Sequence, residues 1–243
     1  MESFSENRKI IKIDFDKKGI FIERINKFLG IFEVENLRIY AHIHDPGRLN
    51  KILFKGNEIL LKKVEKNLKR KTDYDLMFGN FLNNYVLINS KIHNNIGENL
   101  IKNGFLENIH NIISIKKEVK IGNKRLDFLI LDKEEGEIYI EVKGCTFLED
   151  RYALFPDAPT KRGTLHLLKM CELLEMNKKV ILIFLIFIPQ AEYFSPNKYI
   201  DKDFYEKFLF CLNKGLKILP FKFIYNIQDK YLYLVDKLKI KPI

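Results

Sequence analysis

From residue 19 to residue 78 the chain reads as short strands separated by turns. Gly19 to Ile25, Gly30 to Val34, Leu37 to Ile43, Glu58 to Leu61 and a segment near Tyr74 to Phe78 are rich in Ile, Val, Leu, Phe and Tyr, and Gly, Asn and Asp punctuate them. About five strands in this length suit a small closed barrel, OB-like rather than SH3-like. After about residue 80 the pattern changes. Asn84 to Asn103 carries Ile88, Ile92, Ile96, Leu100 and Ile101 at helical spacing, with Gly104 as a stop. Three strands follow in quick succession, Ile112 to Val119, Arg125 to Leu131 and Glu137 to Val142. Their links, Gly122-Asn123 and Asp132 to Gly136, are hairpin-sized. A helix over Thr160 to Asn177 leads into Val180 to Ile188, nine consecutive apolar residues. A membrane span needs roughly 20, so this run predicts a strand covered on both faces and no membrane association. A helix from Asp201 to Lys214 and strands at Lys217 to Tyr225 and Tyr231 to Val235 complete the pattern. The predicted fold class is α+β in two domains: an OB-like β-barrel over 1–82 and an α/β domain of order α-β-β-β-α-β over 83–243.

Composition sharpens this reading only in part. With 243 residues, 47% hydrophobic and 30% charged, the chain is globular and not a disordered tail. Its 42 Lys and Arg against 32 Asp and Glu leave a net charge of +10, which favours a polyanionic partner. Most of that charge is Lys, a sign of compositional drift, so the few arginines, whose planar forks grip phosphate, carry more information. The run Lys62 to Lys71 holds six basic residues and one acidic, Glu65, a solvated face that on a barrel can also track a nucleic-acid backbone. Three cysteines, Cys145, Cys171 and Cys211, show no metal-ligand spacing, and no secretory signal is visible at the start. Reduced thiols in a cytoplasmic protein are the expectation.

The candidate chemistry lies in the second half. In Glu141-Val142-Lys143 the strand alternation points Glu141 and Lys143 the same way, and a hairpin centred near Glu134 places Asp127 beside Glu141. Two close carboxylates raise each other's pKa, and a divalent cation removes that penalty; oxygen ligands suit Mg²⁺ or Mn²⁺. Lys143 then stands where it can orient a water for attack on a phosphodiester. The acid-x-Lys pattern also occurs at Asp16-Lys17-Lys18 and Glu118-Val119-Lys120, so the tripeptide alone is weak. Only the third copy has an Asp at hairpin distance before it and Gly and a helix after it. The bland reading is a surface ion pair on a sheet edge.

Two further segments are candidates for binding. In Phe155 to Gly163 two prolines fix a loop and Thr160 caps a helix start, where backbone N–H groups with Lys161 and Arg162 suit a phosphate. His166 lies one turn in, as a contact or as a structural residue. In His42-Ile43-His44-Asp45-Pro46-Gly47-Arg48 the turn is explicit and Arg48 is a phosphate or domain-interface candidate; His42 and His44 share a face but lack a third metal ligand nearby.

Asp45-Pro46-Gly47-Arg48-Leu49, Arg125-Leu126-Asp127-Phe128, Glu141-Val142-Lys143-Gly144 and Phe155 through Gly163 with His166-Leu167 together resemble the sugar fermentation stimulation protein A (SfsA) family, in order and spacing. The resemblance implies an N-terminal OB-fold and a restriction-endonuclease-like, PD-(D/E)XK nuclease-like C-terminal domain. It implies non-specific DNA binding, with Asp127, Glu141 and Lys143 matching the nuclease motif. Arg125, within the matched segment, joins Arg48, Thr160, Lys161, Arg162 and His166 as a DNA-contact candidate. An acidic residue from the first core helix is usual in that superfamily, which makes Glu98 a weak candidate; Glu118, on the strand before Asp127, is another. Two functions follow: a Mg²⁺- or Mn²⁺-dependent nuclease, or a non-catalytic DNA-binding regulator of sugar (maltose) metabolism that keeps the nuclease-like fold.

Overall fold

The computed structural model describes residues 6–65, 72–122 and 124–243; most of the basic run, at 66–71, lies outside them. After β1 (Lys9–Lys12) come β2 (Lys17–Asn26), β3 (Leu29–Val34), β4 (Leu37–His42), β5 (Glu58–Lys63), β6 (Tyr74–Phe81) and β7 (Asn84–Leu87). They pair in the order β4-β3-β2-β5-β6-β7, and a parallel contact between β4 and β6 at Ala41–Tyr74 and His42–Asp75 closes five of them into a barrel. Closure removes the exposed edges that an open sheet would present. Two-residue turns at Glu35-Asn36 and Leu82-Asn83 have both residues at positive φ, the geometry that matches strand twist in tight hairpins.

The second turn corrects the sequence reading. Residues 84–87 were expected to begin a long helix; instead Leu82-Asn83 reverses the chain and β7 pairs with β6. The run Tyr85-Val86-Leu87 suits a strand as well as a helix, because short apolar segments do not distinguish the two. The helix, α1 (His93–Lys102), begins only after a 3-10 turn at Ser90–Ile92.

Beyond α1 lie β8 (Ile112–Ile121), β9 (Lys124–Asp132), β10 (Gly136–Cys145), β11 (Leu148–Glu149), β12 (Tyr152–Phe155), α2 (Lys161–Glu175), β13 (Lys179–Ile186), β14 (Tyr193–Pro196), α3 (Lys202–Asn213), β15 (Lys217–Asn226), β16 (Tyr231–Lys237) and β17 (Lys239–Ile240). The larger sheet runs β1-β16-β15-β13-β10-β9-β8, and a smaller one runs β11-β12-β14-β17. The core order α-β-β-β-α-β is therefore present, with β11 and β12 inserted before α2. β13 is buried along seven of its eight residues, as its unbroken apolar run requires.

The helices cover opposite faces of this sheet. Gly97 of α1 lies so close to Val142 and Phe128 that a Cβ there would stand 2.9 Å from Val142 Cγ2, while α2 sets His166 against Glu141. Val142 and Glu141 are neighbours on β10 and point to opposite faces.

The boundary expected at 82/83 is not where the backbone changes sheet. β7 belongs to the barrel, and β1 pairs antiparallel with β16 at the far edge of the large sheet. The two units also share packing: Phe78 of β6 stacks on Tyr225 of β15 at 4.0 Å between centroids, and the Tyr225 hydroxyl donates to the Ile13 carbonyl at 2.7 Å. Cys171 of α2 and Cys211 of α3 form a disulfide with Cα atoms 5.7 Å apart, and Cys145 is buried and free. The expectation of three reduced thiols is corrected for this pair; α2 and α3 pack side by side, which local spacing cannot reveal. Among the described residues no helix is long and apolar enough to cross a membrane.

Candidate active site

β9 and β10 are joined by a turn at 133–135, and their pairing runs from Asp132–Gly136 to Phe128–Ile140. One step further sets Asp127 opposite Glu141, the arrangement the hairpin predicts. There the ladder ends, and the Val142 N–H is satisfied by the Asp127 carboxylate, donating to Oδ2 at 2.7 Å. Asn94, in the first turn of α1, donates to Asp127 Oδ1 at 3.1 Å and to Glu118 Oε1 at 3.1 Å. Asp127 is thus held from two sides.

Glu141 lies at 1% exposure, deep beneath α2. Both Lys143 Nζ and His166 Nδ1 meet its Oε1. An ionised carboxylate only accepts, so the His166 proton sits on Nδ1. Glu141 Oε2 is buried and has no hydrogen-bond partner, an expensive condition for an oxygen of a charged group.

The two acids differ in their ionisation. Burial pushes the Asp127 carboxyl up to about 6, the Glu141 charge adds to this, and the Val142 N–H, Lys143 and Asn94 pull it back only in part. Burial also works against ionised Glu141, but Lys143 and His166 outweigh it and hold that carboxyl below its ordinary range. One carboxylate is secured by its own counter-charges, and its neighbour is left short of positive charge.

A cleft of about 390 Å³ opens beside Lys143, between the barrel loop at Asp45–Gly47 and the loop preceding α2. A cis peptide bond joins Phe155 to Pro156 in the second loop. Arg24 of β2 fastens the barrel side by donating to the carbonyls of Gly47 (2.6 Å), Lys27 (2.8 Å) and Asp45 (2.9 Å). Across the cleft, the Leu49 N–H donates to Asp157 Oδ2 at 3.4 Å. Asp45 is raised to about 6 by burial, with Asp157 contributing. His93, at the start of α1, lines the same cleft; its ring lies against Gly144 and Phe187, and its Nε2 is buried without a partner. Burial and the nearby Lys143 pull His93 down to about 4, so the ring is neutral.

The structure therefore brings Asp127, Glu141 and Lys143 together, with Glu118 linked to them through Asn94. It does not bring Glu98, whose carboxylate is taken by Lys102 at 2.8 Å and by Lys117. Asn94, one turn earlier on α1, reaches the acids instead. His166 is corrected from a nucleic-acid contact to a buried partner of Glu141, 5% exposed. Thr160 caps α2 as expected, accepting from the Gly163 N–H at 3.1 Å. Its own N–H, however, donates to Asp201 Oδ2 at 2.7 Å, so the helix start already has a carboxylate beside it. Lys161, Arg162 and Arg48 are exposed, and Arg162 lines the cleft. Arg125 is exposed but pairs with Glu118 at 2.9 Å. His44 pairs with Asp75 at 2.8 Å.

Comparison with known proteins gives the family. The model of the SfsA N-terminal OB domain matches residues 22–88, and that of the sugar fermentation stimulation protein RE domain matches 91–229. The chain belongs to the sugar fermentation stimulation protein family. Within the SfsA family, a homologue from Thermosipho melanesiensis is 43% identical over 214 residues, covering 88% of this chain and 90% of that protein. One from Methanococcoides burtonii is 37% identical over 231 residues, 93% of each. The solved structure of Pyrococcus furiosus SfsA in complex with Ca²⁺ superimposes with a TM-score of 0.89 at 25% identity, covering 96% of this chain and 99% of that one.

Among the site residues of this SfsA-family chain, sequence reasoning missed Asn94 and His93. Both lie in the first turn of α1, and Asn94 precedes Glu98 by four residues on the same helix face. The acid expected on that face therefore lies on the right helix, one turn beyond the residue that reaches the site.

Proposed function

We propose that this protein is a divalent-metal-dependent phosphodiesterase acting on DNA without sequence preference. The observation that carries the reading is the buried Glu141 Oε2, which has no hydrogen-bond partner, on the strand beside Asp127 and with Lys143 on the other oxygen of the same carboxylate. The donors fit a hard cation. Both are carboxylates, one has a free buried oxygen, and the other is costly to ionise where it stands. Among the described residues no three His, Cys, Asp or Glu side chains cluster to hold a metal. Mg²⁺ binds through one or two carboxylates with waters and substrate phosphate completing its shell, so two are enough. The related Pyrococcus furiosus protein was solved with Ca²⁺, another oxygen-seeking cation, which supports the choice.

Asp127 and Glu141 would hold the cation, which supplies charge neutralisation and polarisation of the phosphodiester. The chain's own residues do the rest. His166 and Lys143 fix Glu141 through Oε1 and leave Oε2 to the ligand, while Asn94 and the Val142 N–H fix Asp127. Lys143, its ammonium against Glu141, is placed to hold a water or a phosphate oxygen. Arg162, Lys161 and Arg48 supply exposed positive charge for the backbone. Charges that grip phosphate read no base, which supports binding without sequence preference.

The test is Asp127→Ala and Lys143→Ala, assayed for cleavage with Mn²⁺ or Mg²⁺ and separately for retention of DNA. Cleavage lost with binding kept is the expected result. A wild-type protein that cuts neither DNA nor RNA with any divalent cation overturns the reading and leaves the regulatory DNA-binding alternative.

A further inference from the structure

The outer face of the barrel next to the cleft is unusually aromatic for an exposed sheet. Tyr40 and His42 alternate on β4 and so share a face, opposite Ile31 and Leu29 on β3. Phe28, in the β2–β3 turn, lays its ring on His42 at 6.0 Å between centroids and 8° between planes, and His42 meets His44 edge-on at 4.3 Å. Tyr40 is 53% and Phe28 49% exposed. Rings this exposed are a poor way to stabilise a barrel that has its own core. The ledge also has a direction. Lys27, adjacent to Phe28, lines the cleft that holds Lys143 and Arg162. Arg24, through its bonds to the Lys27, Asp45 and Gly47 carbonyls, locks the ledge's turn to the cleft's rim.

We propose that Phe28, Tyr40 and His42 form a stacking ledge for unpaired bases, delivering a single-stranded polynucleotide past Lys27 into the Lys143 cleft. The proposal rests on the phosphodiesterase reading for its destination and names the substrate class of that site. Stacking needs an open base face, which a single strand offers and a duplex conceals. Positive charge occurs where the strand would pass: Arg38 is exposed on the same face of β4 as Tyr40, Lys27 is exposed at the turn, and Arg162 lies across the cleft. Rings flanked by cations are the combination that binds single strands with little sequence preference. A second copy of this chain, itself at a net charge of +10, would be repelled by the positive approach.

Fluorescence anisotropy in EDTA, with short oligo(dT), oligo(rU) and a blunt duplex of equal length, tests the ledge apart from any cleavage. Wild type should hold at least one of the single strands about tenfold or more tighter than the duplex. Phe28→Ala and Tyr40→Ala should each weaken single-strand binding roughly 5- to 150-fold and leave duplex binding unchanged. Both side chains are exposed, so the variants keep the fold, which their melting curves verify. Equal weakening on both kinds of probe, or no weakening, overturns the ledge, as does a finding by light scattering that wild type is a dimer and the variants are not. Cleavage by wild type with Mn²⁺ while the ledge variants keep full affinity removes the ledge and spares the phosphodiesterase. Loss of single-strand affinity in the variants, with no cleavage by any cation, removes the phosphodiesterase and spares the ledge.

Discussion

The two acids make a prediction that runs against the usual effect of mutating a site residue: without metal, Asp127→Asn should stabilise the protein. The Asp127 carboxyl moves from an ordinary value of 3.8 to about 6 on folding, chiefly through burial and then through Glu141. Ionised Asp127 therefore costs the folded state about 3 kcal/mol near neutral pH, a large share of a typical stability of about 5–15 kcal/mol. Because the folded value lies above the unfolded one, the penalty is full above about pH 6, shrinks as pH falls, and is gone below about 4. Asparagine keeps an acceptor for the Val142 N–H and offers its own amide to Asn94, which turns its carbonyl inward and gives up Glu118. After that loss the variant should gain about 2 kcal/mol near neutral pH. Urea unfolding in EDTA across that pH range measures the gap, which should close towards pH 4. Saturating Mn²⁺ should then favour wild type alone, by about 2.7 kcal/mol at a hundred times the Kd, and cancel or reverse the order. An asparagine variant no more stable than wild type at neutral pH, or a gap that does not narrow on acidification, would refute the reasoning.

Three further outcomes follow from the same packing. His166→Ala removes a partner from a carboxylate at 1% exposure and should cost about 3–5 kcal/mol by urea unfolding; a loss below about 1 kcal/mol would mean that Lys143 alone satisfies Glu141. Reducing the Cys171–Cys211 disulfide, whose cysteines are 40 residues apart, should lower stability by about 4 kcal/mol on chain entropy. Melting with and without dithiothreitol measures this, and a Cys171→Ala/Cys211→Ala double variant should be insensitive to it. Gly144→Ala places a Cβ 2.2 Å from Cε1 of the His93 ring, which Phe187 backs at 5.4 Å between centroids; it should cost about 1–3 kcal/mol, and an unchanged melting temperature would show that the ring yields freely.

What was legible in the sequence is what local order encodes. A short polar link between two strands, expected over Asp132 to Gly136 and found as the turn at 133–135, fixes their register, and the register alone sets Asp127 opposite Glu141. The barrel strands, the Thr160 cap and the buried strand at Val180 were readable for the same reason: each is written in neighbouring residues. What escaped is written nowhere locally. The four residues of β1 join a strand more than two hundred positions away, and strands as short as Leu148–Glu149 have too little periodicity to detect. Asn94 carries no charge to advertise its role.

His166 is the instructive case, because a signal for it existed. Ile138, Ile140 and Val142 share one face of the strand that carries Glu141, and Glu141 falls on the other with Tyr139 and Lys143. Once a helix covers that second face as well, an acid there loses water, so the fold must bring it hydrogen-bond donors or a cation. Lys143 shares its face and is one donor; the next element to cross that face is the helix after the proline loop, where His166 is a polar residue among Leu165, Leu167 and Leu168. Its burial could have been argued from Glu141's need. The same need, met on Oε1 and unmet on Oε2, is what makes the site read as prepared for an ion.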